Sequence, residues 1–146
     1  MTLAGPDVPS CVLDSAMALA WVLPGEGRAR TELVLQQVTS AGALVPGLWP
    51  LEVANVLLMA ERRRRLTQAQ RVRALTALGS LSIAIDPETA VRTWAQTVML
   101  AEAHGLTVYD AAYLELALRA GLPLATLDEA LARASRTTGI AVLGLA

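Results

Sequence analysis

The chain has 146 residues, of which 54% are hydrophobic and 17% charged, with a formal net charge of −1; this is the size and apolar content of a single domain, 1–146, around one substantial core. The near-zero charge excludes a whole-molecule attraction to nucleic acid, so any such contact has to be local. All twelve basic residues are arginine, which excludes every mechanism that needs a lysine, and the single Cys11, between Ser10 and Val12, reads as a small buried hydrophobe with no partner for redox or zinc chemistry.

In chain order, "MTLAGPDVPS" lacks the basic start of a signal peptide. No uncharged window reaches the roughly 18 to 20 apolar residues of a membrane span. A soluble, cytoplasmic protein without a membrane partner is expected. "SCVLD" reads as a strand ending at Asp14, followed by the helical "SAMALAWVL" and the break "PGEG". Residues 26–40 carry Leu33, Val34 and Val38 at helical spacing, and "GALVP" is a second strand. Pro50 opens a helix through "LEVANVLLMAERRRR", because proline is tolerated in a first turn. Thr67 caps "QAQRVRALTALG", and "LSIAI" is a third strand. Asp86 and Pro87 form a cap and first turn for a long helix to about His104, stopped by Gly105. Asp110 can cap "AAYLELALRA", which Gly121 ends; "LPLAT" is a fourth strand, Asp128 to about Thr138 a last helix, and "IAVLGL" a fifth strand. This repeated β-then-α order predicts an α/β fold, a mostly parallel sheet with helices on its faces.

Within the apolar run "CVLDSAMALAWVL" the only charge is Asp14. In parallel sheets, ligands bind outside the carboxyl ends of the strands. Asp14 ends the first strand, Glu52 lies in the first turn after the second, Asp110 starts a helix, and Asp128 follows the fourth strand. Two like charges about 4 Å apart repel by roughly 4 kcal/mol at an effective dielectric of 20, so a gathering of such acids needs protons or a cation. Mg²⁺ or Mn²⁺, which prefer carboxylate oxygens and water, are the natural solution, and metals so held activate water toward phosphodiesters. Each acid also has a structural reading: Asp110 and Asp128 as N-caps, Glu52 as a first-turn acid facing the helix dipole. Asp14, with core-like neighbours, fits that reading least.

The segments "CVLDSAMALAWVLPGE", "WPLEVANVLL", "HGLTVYDAAYLELALRAGLPLATLDEALARA" and "GIAVLGL" together resemble the PIN-domain ribonucleases, specifically the VapC-like toxins of toxin–antitoxin pairs. "YDAAYLELA" followed by "PLATLD" is the most specific part, and the likeness covers nearly the whole chain. The resemblance implies a three-layer α/β/α sandwich and a Mg²⁺- or Mn²⁺-dependent endoribonuclease, usually a homodimer, silenced by a cognate antitoxin. It places Asp14, Glu52, Asp110 and Asp128 as the four catalytic acids, with Asp14 and Asp110 on the main metal and Glu52 and Asp128 completing the pocket directly or through water. Asn55 matches a polar residue one turn after the second acid, and Thr126 a hydroxyl residue two before the last. Many relatives have a serine or threonine two positions after the first acid; here Ala16 stands there, with Ser15 before it.

The run Arg62, Arg63, Arg64, Arg65, late in its helix, reads either as a solvated face favoured by the helix dipole or, with Arg71 and Arg73, as a contact for RNA phosphates or an acidic antitoxin. His104, at a helix end, reads as a charged or capping group. Trp21, Trp49 and Trp94 are expected as core or interface anchors, with base stacking by Trp49 as the alternative, and Tyr109 and Tyr113 as packed rings with their hydroxyls tied to polar groups near the site. The surplus of apolar helix predicts a dimer, antitoxin docking, or both. A receiver-like phosphoacceptor and a phosphate-cradling nucleotide binder both need a lysine, and a haloacid-dehalogenase-like phosphatase needs a second acid two residues after the first, which "LDSAM" lacks. A housekeeping RNA-processing PIN nuclease, and a degenerate PIN fold that binds protein or RNA without cutting, stay open.

Overall fold

The computed structural model describes residues 8–25 and 29–145. Its strands are β1 (Val12–Leu13), β2 (Ala43–Val45), β3 (Ile83–Ile85), β4 (Leu124–Ala125) and β5 (Val142–Leu143). Each is shorter than its apolar run, because the flanking residues leave the ladder to turn or to open a helix. All neighbouring pairs are parallel, in the order β3-β2-β1-β4-β5. The α/β fold with a central parallel sheet is therefore as expected. After β1 the chain builds outward through β2 and β3, then returns to lay β4 on the other side of β1. That reversal makes the β1/β4 crevice the topological switch point, where parallel sheets bind their ligands.

The helices are α1 (Ser15–Val22), α2 (Ala29–Ala41), α3 (Trp49–Arg62), α4 (Gln68–Gly79), α5 (Thr89–Arg92), α6 (Val98–His104), α7 (Val108–Ala120) and α8 (Glu129–Thr137), with a π-helical turn, Thr93–Thr97, joining α5 to α6. Helix α1 packs on α2 and α3, and α3 on α4, while α7 lies on β1 and β4 between α6 and α8. The core runs from Val12, Leu13 and Met17 through Val45, Leu57 and Tyr113 to Leu124 and Leu131. Among the described residues no helix is long and apolar enough to cross a membrane.

Local signals account for most boundaries. Pro50 sits in the first turn of α3, Thr67 and Gln70 form a capping box on α4, and Gly105 and Gly121 take the left-handed conformation that ends α6 and α7. Four expectations need correction. Helix α3 stops at Arg62 rather than running through the arginines, because Arg64 turns left-handed at φ 60° and the Arg65 amide reaches back to the Ala60 carbonyl. The helix after β3 starts at Thr89, not at Asp86, whose carboxylate is held by Arg119. In α2, Val34 and Val38 are buried but Leu33 is exposed; residues 26–28 of that expected stretch, and the end of the "PGEG" break, lie outside the described residues. Of the core and interface places expected for Trp94, the core is ruled out, since it is 93% exposed on the π turn.

Candidate active site

Asp14 stands at the N-cap position of α1, directly after β1, yet its side chain makes no capping bond. The α1 amides of Met17 and Ala18 are taken by its backbone carbonyl instead. Its carboxylate, 5% exposed, turns toward β4, where Thr126 Oγ1 donates to Asp14 Oδ2 at 2.7 Å. The same Thr126 oxygen accepts from the Asp128 backbone N–H at 3.0 Å. One fully buried threonine thus ties the ends of β1 and β4 together across the switch point.

The other acids arrive from three further elements. Asp110 is in the first turn of α7 and not its cap, because Thr107 accepts from the Asp110 amide at 3.1 Å and does the capping. That leaves the half-buried Asp110 carboxylate clear of the capping bond, with the Thr107 side chain as its hydrogen-bond partner. Asp128 does cap its helix, accepting from the Leu131 amide at 2.8 Å through Oδ1, so its structural reading holds without removing the second oxygen. Glu52, in the first turn of α3, accepts from the Tyr113 hydroxyl at 2.5 Å.

Electrostatics show that these groups share one neighbourhood. Burial pushes Asp14 up to about 6 despite the Thr126 bond, and the charges of Asp110, Glu52 and Asp128 push the same way. Asp110 is raised first by burial and then by Asp128 and Glu52, with the Thr107 side chain opposing. Among the described residues no arginine or histidine counters either shift. Tyr113 is raised well above the ordinary phenol range by burial, then by its bond to Glu52, with the nearby Ser15 hydroxyl opposing, so it stays a donor.

These four carboxylates, which have no basic partner among the described residues, form a donor set of oxygen alone, which suits Mg²⁺ or Mn²⁺ and not zinc. Among the described residues no three acidic, histidine or cysteine side chains already close around a single point. Asp110, Glu52 and Asp128 nonetheless lie near enough for their charges to act on Asp14. The sequence-derived acids are therefore brought to one end of the sheet, and Thr126 and Ser15 lie where they touch them or their partners. Asn55 is exposed on α3, one turn beyond Glu52.

Arg62, Arg63, Arg64 and Arg65 are all exposed, whereas Arg71 is ion-paired with Glu61. Trp49 is 8% exposed within the core, which removes base stacking, and Trp21 Nε1 donates to the Thr31 carbonyl at 2.8 Å. Tyr109, 68% exposed, is not packed as expected. The group sequence reasoning undervalued is Thr107: a threonine three residues before Asp110 is the ordinary spacing of a cap, and it releases that acid.

A parallel α/β sheet that gathers one buried, two half-buried and one exposed carboxylate at its switch point defines an acid-pocket α/β domain. The PIN domain family model matches residues 11–137. The chain belongs to the PIN-domain family. It is similar to Ribonuclease VapC3 of Pyrobaculum aerophilum, at 33% identity over 121 residues that cover 83% of this chain and 91% of that protein. Among solved structures it is similar to PAE2754 from Pyrobaculum aerophilum (TM-score 0.67, 24% identity, covering 92% of this chain and 83% of that one). It is also similar to FitAcB from Neisseria gonorrhoeae (TM-score 0.63, 18% identity, 90% and 95%) and to a toxin–antitoxin complex from Klebsiella pneumoniae (TM-score 0.62, 18% identity, 93% and 98%). At these identities the solved structures speak for the fold.

Proposed function

We propose that the chain is a metal-dependent endoribonuclease that acts as the toxin of a toxin–antitoxin pair. The observation that carries this reading is Asp14: a carboxylate 5% exposed, braced by Thr126 and acted on by three more acids, with no cation beside it among the described residues. Proteins do not bury such a group for stability. A ribonuclease among the relatives and a toxin–antitoxin complex among the fold neighbours support the same reading.

In this reading Asp14 and Asp110 hold Mg²⁺ or Mn²⁺, with Glu52 and Asp128 binding directly or through water. The bound ion supplies a lowered water pKa and charge neutralisation at the phosphodiester oxygens. Thr126 holds Asp14 rigid and Asp128 at its helix start, and Asn55 offers a polar side chain beside Glu52 at the open side of the pocket. The exposed Arg62, Arg63, Arg64 and Arg65 serve RNA phosphates or the acidic groups of a cognate antitoxin. The working protein is a cytoplasmic homodimer of one PIN-like domain, 1–146; light scattering should give the dimer mass, and a clean monomer contradicts that part.

The deciding experiment is cleavage of a mixed small-RNA pool by the purified protein with Mg²⁺, Mn²⁺ or EDTA, alongside Asp14→Asn and Asp110→Asn. Cutting should require the metal and both acids. Cutting that survives EDTA or either substitution overturns the mechanism.

A further inference from the structure

Tyr113 is fully buried, and no larger side chain among the described residues is. Its hydroxyl donates to Glu52 Oε1 at 2.5 Å, bridging α7 to α3 across 61 positions of sequence. It lies one helical turn after Asp110, so one face of α7 delivers both a carboxylate and a hydroxyl to the pocket. Glu52 itself is only half-buried and turns about three side-chain torsions, while Asp14 and Asp110 repel it. Without a donor to hold it, a glutamate so placed swings toward water.

We infer that Tyr113 is a positioning residue for Glu52: a hydroxyl on an immobile ring selects one rotamer of the flexible acid by holding Oε1, and leaves Oε2 clear of that bond to serve a cation. The ring cannot follow the acid outward, because it is locked among core side chains of the cluster that includes Leu13, Leu57 and Leu114. Outer-shell donors of this kind orient metal-binding carboxylates and set their affinity. The inference rests on the metal-binding reading of the four acids.

Mn²⁺ binding to the full chain, measured by calorimetry without RNA, tests it. Tyr113→Phe removes the hydroxyl and keeps the ring, and its melting curve in EDTA reports whether the fold survives. It should weaken Mn²⁺ by about tenfold. In a Glu52→Ala background the same substitution should cost nothing further, which is the coupling expected of a residue that acts only through Glu52. Glu52→Asp, which retracts the charge from the hydroxyl at a half-buried surface position, should lose affinity to a similar degree and serves if Tyr113→Phe does not fold. Tyr113→Phe or Glu52→Asp binding as the wild type does, or an equal loss from Tyr113→Phe with and without Glu52, overturns the inference alone. Wild-type protein that binds no Mn²⁺, or binds it equally well as Asp14→Asn, overturns the metal site and the inference together.

Discussion

Burial and the neighbouring acids raise Asp14 from 3.8 to about 6, so the folded chain holds that proton more tightly than the unfolded one. The stability linked to the proton is fully present below 3.8 and is lost as pH rises through about 6. The loss amounts to about 3 kcal/mol, since a tenfold change in proton affinity is worth roughly 1.4 kcal/mol. Asp14→Asn removes the charge and keeps an oxygen to accept from Thr126. In metal-free buffer at neutral pH it should therefore be more stable than the wild type by about 2 kcal/mol, a rise in melting temperature of about 6 °C. It should also be inactive on RNA. A melting temperature equal to or below that of the wild type would show that Asp14 is compensated in the folded chain. Asp14 was legible in the sequence because a lone charge in an apolar run contradicts its surroundings. Asp110 and Asp128 gained their site reading over the capping one only from the resemblance, since both stand where caps stand; only the hydroxyl of Thr107 and the Leu131 amide distinguish the acid that does not cap from the one that does.

At the scale of elements, Arg119 staples α7 to the loop after β3. Its guanidinium donates to both Asp86 oxygens, at 3.1 and 2.6 Å, and to both Glu115 oxygens, at 2.9 and 3.0 Å. Asp86 and Glu115 are 6% and 5% exposed. The Arg119 hydrogen bond holds Asp86 below its ordinary value, so the stability it contributes is present above 3.8 and lost as pH falls through its lowered folded value. Arg119→Met takes the guanidinium from two buried carboxylates, leaving Asp86 only its Thr89 and Glu88 hydrogen bonds, and should cost about 3 kcal/mol at neutral pH. The sign of the pH dependence should then reverse for this site. Unpaired buried carboxylates have raised values, so the variant regains stability on mild acidification, whereas the wild-type pair weakens only in stronger acid. Chemical denaturation across that range checks it; parallel curves for the two proteins would mean the pair contributes nothing. Reading Asp86 with Pro87 as a helix cap was a local inference, and its failure has a non-local cause. The partner lies 33 residues away on α7, and a bidentate guanidinium outweighs one capping bond.

At the scale of the molecule, β-then-α alternation and the strand-end positions of the acids were readable, but the strand order was not. Nothing in the short runs "SCVLD" or "LPLAT" says that β4 lies beside β1, and that placement is what joins Asp14 to Thr126 and Asp128. Building the crevice there gives a sheet whose acid-bearing end is electrostatically unfavourable when no cation is present. The fold and the ligand are then linked: a cation that binds only the folded state adds RT ln(1 + [L]/Kd) to stability. It also competes with the proton on Asp14, because ligating carboxylates must be ionised. Mg²⁺ should thus raise the melting temperature more at slightly alkaline pH than in mild acid, with the change centred near the Asp14 value of about 6. A monovalent salt at equal ionic strength screens the repulsion without being chelated and should give a smaller, pH-insensitive rise. Asp14→Asn should flatten the Mg²⁺ response by removing both the proton and the ligand. Equal shifts from the two salts, or a Mg²⁺ shift that ignores pH, would mean that the acids are tolerated by simple screening and that the crevice is not built around an ion.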